Sequence, residues 1–112
     1  MEPARHIAAA TPQPARRGEV KAAVLAVHGA ADPVAPKAER DAFETEMTEA
    51  GACWALLTFG DICHAFTDPH ANTPGVAVYD EPATRHGYAL AHAFIADAFV
   101  GRRHGCPALQ PA

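Results

Sequence analysis

The chain has 112 residues, with 9 Lys and Arg against 13 Asp and Glu and a formal net charge of -4. That length suits one small domain and excludes two, and the charge excludes a strong positive field for nucleic acid or an anionic membrane. Hydrophobic residues make up 49%, but 27 are Ala while Val, Ile, Leu and Phe together number 20, so any core is thin for this length.

Residues 1–19 carry Pro3, Pro12 and Pro14 and the pair Arg16 and Arg17, with Ile7 as the single large apolar residue after Met1. This composition predicts an extended leader. Residues 20–28 (VKAAVLAVH) form a nearly unbroken apolar run ending at Gly29, the pattern of a parallel strand buried on both faces. Pro36 stands at a helix start, Phe43, Met47 and Ala50 recur at helical spacing, and Gly51 supplies the stop. A second buried strand follows at residues 53–59 (CWALLTF), completing a β-α-β unit whose right-handed crossover places both strands in one parallel sheet. Residues 60–79 are irregular and too long for a mere connector, which marks a functional loop. A final helix begins near Asp80 with Pro82 in its first turn and ends at Gly101; Leu90, Phe94 and Ala98 form its apolar stripe. Residues 102–112 read as a flexible tail. The fold class is α/β, and a strand-helix-strand-loop-helix unit leaves an apolar strand edge unpaired, so the architecture is partial.

The chain contains no serine, which removes serine-based nucleophilic chemistry and leaves three Cys, seven Thr or a carboxylate. Cys53, Cys63 and Cys106 are irregularly spaced with no CxxC pair, giving neither a disulfide framework nor a zinc pattern. Sets drawn from Cys63, His64, Asp68 and His70, or from His86 and His92, also lack zinc spacing, and no Gly-rich phosphate loop occurs, so no metal or cofactor is expected. No apolar run approaches the ~20 residues of a membrane span and the N-terminus lacks a signal-peptide core, so the expected compartment is the cytoplasm.

Two residues stand out by position. Asp32, in His28-Gly29-Ala30-Ala31-Asp32-Pro33, lies just beyond the carboxyl end of the first strand, where catalytic groups of open parallel sheets gather. The competing reading is that Asp32 only shapes the turn before Pro33. His64 lies beyond the second strand at the same sheet edge, where Nδ1 can pair with Asp32 and Nε2 can serve a nucleophile.

HGAADPVAP, the helix ending DAFETEMTEAG, the strand WALLTFG, then CHAFTDP and VAVYDEPATRHGYALAHAFIADAF follow in order the pattern of the dienelactone hydrolase family, of the α/β-hydrolase fold. ATPQPARRGEVKA resembles the approach to that family's penultimate core strand, so the resemblance covers residues 8–100. It implies that residues 20–101 are the C-terminal part of an α/β-hydrolase domain lacking the N-terminal lobe, with Asp32 the triad acid and His64 the general base. The family's nucleophile, typically a cysteine, sits on an elbow upstream of both, and this chain is expected to begin too late to hold it. Gly51-Ala52-Cys53-Trp54-Ala55 lacks the elbow's second Gly and runs from helix to strand, the reverse of its topology. Cys63 adjoins His64 where the family has an aliphatic residue, and Cys106 reads as an exposed thiol of the tail. Arg85-His86-Gly87 departs from the family's Arg-Ser-Trp, and a helical Gly costs roughly 1 kcal/mol relative to Ala, which predicts weakened docking of the last helix.

The implied function is hydrolysis of a carboxylic ester or lactone, with the chain inactive alone. The alternative is a non-catalytic module that forms a homo-oligomer or docks on a separate upstream lobe.

Overall fold

The computed structural model describes residues 13–104. The elements are β1 (Ala23–Gly29), α1 (Lys37–Glu49), β2 (Cys53–Phe59), β3 (Asn72–Thr73), β4 (Ala77–Val78) and α2 (Glu81–Phe99). β1 and β2 pair in parallel along their whole length, from Ala23 opposite Cys53 to Gly29 opposite Phe59. The β-α-β unit is thus present, with β1 starting at Ala23 instead of residue 20.

Strand alternation decides which helix covers which face. Trp54 makes an edge-to-face contact with Phe43 of α1, with ring centroids 6.0 Å apart. Phe59, five residues on and therefore on the opposite face, lies against α2, its ring centroid 6.5 Å from that of His86. One helix therefore covers each face of the two-stranded sheet. The buried apolar residues are small or few: Met47 and Ala50 at the end of α1, Cys53, Phe66 and Ala83. That is the thin core the alanine content implies.

α1 begins at the N-cap Pro36, whose ring fixes φ at -71°. It ends at Ala50, and Gly51 takes the left-handed conformation at φ +69°, which favours glycine. The described part of the expected leader, residues 13–19, is irregular and tied to this helix end. Gly18 N–H donates to the Ala50 carbonyl (3.0 Å) and Ala15 N–H to the Glu46 carboxylate (2.9 Å). Residues 1–12 of that leader, and residues 105–112 of the expected tail with Cys106, lie outside the described residues.

α2 corrects the sequence reading in two places. Leu90 is exposed, and the covered stripe is Ala83, Gly87, Ala91, Phe94 and Ala98. Gly87 is buried, and a Cβ there would meet Val27 Cγ1 at 3.2 Å and Phe59 Cε2 at 4.0 Å. Its missing side chain lets the helix lie close on the sheet, so Gly87 promotes the docking that helix propensity predicts it to weaken. The helix is started by Asp80, whose carboxylate accepts from Ala83 N–H at 2.9 Å, with Pro82 in the first turn as expected. None of the helices is long and apolar enough to cross a membrane, among the described residues.

Candidate active site

The parallel strands deliver two loops to one sheet edge. Gly29 ends β1, and a Cβ there would collide with the Ile62 carbonyl and approach the Cys63 carbonyl oxygen at 2.9 Å, so glycine is what allows the loops to touch. They are bonded backbone to backbone, Ala31 N–H donating to the Ile62 carbonyl (2.9 Å) and Ala30 N–H to the Phe59 carbonyl (2.8 Å). Asp32 and His64, 32 residues apart in sequence, are brought together by this junction.

Asp32 is 5% exposed, the one buried charged residue among those described. Its Oδ1 accepts from Val34 N–H (2.7 Å) and Ala35 N–H (3.3 Å), and its Oδ2 lies 2.9 Å from His64 Nδ1. One oxygen thus shapes the turn, as the turn reading requires, while the other faces the histidine. Burial pushes the carboxyl up, but the hydrogen bond from His64 and those from Val34 and Ala35 outweigh it and hold the group below its ordinary value. The carboxylate is therefore ionised at neutral pH and can only accept, which places the proton of the contact on His64 Nδ1. In neutral His64, Nε2 is then unprotonated, the form a general base needs.

His64 is held by the long loop, which contains an element the sequence reading missed. β3 and β4 form a short antiparallel hairpin closed by Pro74-Gly75, with Gly75 at φ +81° and Val76 N–H donating to the Thr73 carbonyl (2.9 Å). That hairpin grips the backbone of His64 on both sides: His64 N–H donates to Val76 and Val78 N–H to the His64 carbonyl, at 2.9 and 3.2 Å. The next residue, Ala65, sits at φ +55°, a strained conformation for a residue with a Cβ, and turns the chain behind the imidazole. Phe66 is buried against Phe59 (centroids 6.0 Å), and its carbonyl accepts from Asp80 N–H and the Thr84 hydroxyl, fastening the loop to the start of α2. The imidazole itself is 47% exposed on its side chain, open to a reacting partner.

A cavity of about 490 Å³ opens beside the pair, walled by Val27, Val34 and Phe66 and by Gly87, Tyr88 and Ala91 of α2. Gly87 contributes here a second time, by leaving room.

The cysteines are placed elsewhere or held. Cys53 opens β2, at the opposite end from the loop bearing His64, about 20 Å away at 3.3 Å per strand residue. Against the reading of the cysteines as unpaired, Cys53 is disulfide-bonded and so is no thiolate. Cys63 is free and half-buried. No group of three or more His, Cys, Asp or Glu that could hold a metal occurs among the described residues.

Sequence reasoning missed His28, whose Nε2 lies 2.8 Å from the Ala35 carbonyl and 3.7 Å from Asp32 Oδ2. The signal was available, because a histidine directly before the glycine that ends a buried strand is already at the functional edge.

The parallel sheet thus carries a buried, ionised carboxylate and a hydrogen-bonded histidine together at its carboxyl edge. Residues 7–99 match the dienelactone hydrolase family, and the chain belongs to that family. A similar solved structure is the crystal structure of a dienelactone hydrolase-like promiscuous phosphotriesterase from metagenomic libraries. It is 28% identical with a TM-score of 0.67, over 72% of this chain and 35% of that one. The chain thus spans about a third of that protein's length. No curated protein matches.

Proposed function

We propose that the chain supplies the acid and general base of a carboxylic ester or lactone hydrolase site, Asp32 orienting and charging the His64 imidazole. The observation that carries the reading is the 2.9 Å contact between His64 Nδ1 and the buried Asp32 carboxylate, with the imidazole still open to the cavity. Family membership supports the ester or lactone as substrate class.

In the proposed reaction, His64 Nε2 takes the proton of a cysteine thiol provided by polypeptide beyond these 112 residues. The thiolate attacks the carbonyl carbon, and the tetrahedral intermediate collapses by breaking the bond to the leaving oxygen, which receives the proton from His64. Nε2 then takes a proton from water, whose oxygen attacks the thioester and releases the carboxylic acid and the free thiol. Asp32 stays ionised throughout and stabilises the imidazolium.

A second reading, docking without catalysis, has its own support. Tyr88, Ile95, Phe99 and Val100 leave apolar surface exposed along and beyond α2, Phe99 at 85%, and β1 is paired on one edge only among the described residues. The two readings agree if the surface that receives α2 and β1 belongs to the polypeptide that carries the nucleophile.

The test is hydrolysis of an activated aryl ester by the chain mixed with a dienelactone hydrolase piece that carries the nucleophile elbow. Turnover requiring both pieces and lost in His64→Ala supports the proposal. Turnover that His64→Ala leaves unchanged sinks it.

A further inference from the structure

His28 is the penultimate residue of β1 and pairs with Thr58, so strand alternation puts it on the face of Trp54, the face that α1 covers. The turn from Asp32 to Pro36 leads into α1 on that same side. His28 Nε2 lies 2.8 Å from the Ala35 carbonyl oxygen, which can only accept, so Nε2 carries a proton and donates it. The distance from the same nitrogen to Asp32 Oδ2, 3.7 Å, is too long for a hydrogen bond. The Ala35 residue is therefore held at both ends: its carbonyl by His28, its N–H by Asp32 Oδ1 at 3.3 Å. With Val34 N–H on the same Oδ1 at 2.7 Å, this arrangement leaves Oδ2 as the oxygen that meets His64.

We propose that His28 is a positioning residue for the acid–base pair: its Nε2–H clamps the Ala35 carbonyl and, through the Asp32–Ala35 turn, fixes the carboxylate rotamer that presents Oδ2 to His64. This rests on the reading of Asp32 and His64 as a working pair. His28 touches neither a reacting atom nor His64, and acts through the turn.

The experiment is NMR on the full 112-residue chain and its variants His28→Leu and His28→Gln, the glutamine returning an N–H donor at the distance of Nε2. Three signals are read: the hydrogen-bonded Nδ1–H proton of His64, exchange protection of the Ala35 amide, and the Asp32 carboxyl titration. His28→Leu is expected to broaden away the His64 Nδ1–H signal and lower Ala35 protection about fivefold, the equivalent of one net hydrogen bond. The Asp32 titration is expected to move up toward its ordinary value. His28→Gln is expected to keep all three near wild type. Unchanged His64 and Ala35 signals in His28→Leu overturn the proposal, as does a His28→Gln that behaves like the leucine variant. Should the leucine variant fail to fold, the glutamine variant decides alone, since only retention of the His64 signal fits the clamp. A wild-type spectrum without a bonded Nδ1–H overturns the acid–base reading itself, an outcome distinct from failure of the clamp.

Discussion

Asp32→Asn separates the two tasks of the buried carboxylate. The amide oxygen can still accept from Val34 and Ala35 N–H as Oδ1 does now, at 2.7 and 3.3 Å, so the turn survives. At the other position an NH₂ faces His64 Nδ1, replacing an ionic acceptor with a donor. A hydrogen bond to a charged group contributes about 1.5 to 3 kcal/mol, and a histidine half open to water lowers that, so a loss of about 1 to 2 kcal/mol is expected at pH 7. Urea unfolding followed by Trp54, the single tryptophan, measures it. The pH dependence carries the sharper test. The folded carboxyl titrates below its ordinary value of 3.8, so the folded chain binds fewer protons than the unfolded one in that range. The stabilisation is therefore fully present above the ordinary value and disappears as pH falls through the folded value. Wild type and Asp32→Asn should differ from pH 5 to 7 and converge in strong acid. A constant difference down to strong acid, or none at pH 7, would refute the account of Asp32 as an ionised partner of His64.

Gly87→Leu should push α2 off the sheet, because even a Cβ stands 3.2 Å from Val27 Cγ1; an expected loss of about 1 to 3 kcal/mol in urea unfolding follows from overpacking. A variant at wild-type stability would restore the view that Gly87 is merely a weak helix residue. Asp80→Ala removes the side-chain acceptor of Ala83 N–H, and should cost about 1 kcal/mol and lower amide protection in the first turn of α2. Because Asp80 N–H also holds the Phe66 carbonyl, that loss should leave the fastening of the histidine loop largely in place.

The strands and helices were legible because their signals are local. An apolar run ending in glycine specified β1, CWALLTF matched β2 at both ends, and Pro36, Gly51 and Asp80 marked helix limits by backbone chemistry that does not depend on the rest of the fold. The pairing of Asp32 with His64 was legible from topology, since parallel strands bring successive loops to one edge. What escaped was the part set by close approach. Gly87 was read by helix propensity, whereas its effect comes from Val27 and Phe59 across the interface. Leu90 was assigned inward as part of an apolar stripe with Phe94 and Ala98, yet the helix turns Gly87 and Ala91 to the sheet and leaves Leu90 exposed. The β3–β4 hairpin has strands of two residues each, below any periodicity, though Pro74-Gly75 did carry a turn signal. His28 was passed over because a histidine inside an apolar run resembles a core residue until its Ala35 contact is seen.

The proposed acid–base pair requires that Asp32 hold His64 in the tautomer that leaves Nε2 free to take a proton. Nitrogen-15 shifts of the His64 ring at pH 8, in the intact chain, read that tautomer directly. A protonated, hydrogen-bonded Nδ1 and a bare Nε2 are expected, both changed in Asp32→Asn. A proton on Nε2, or a ring that exchanges freely between tautomers as in a solvent-exposed histidine, contradicts the proposed pair.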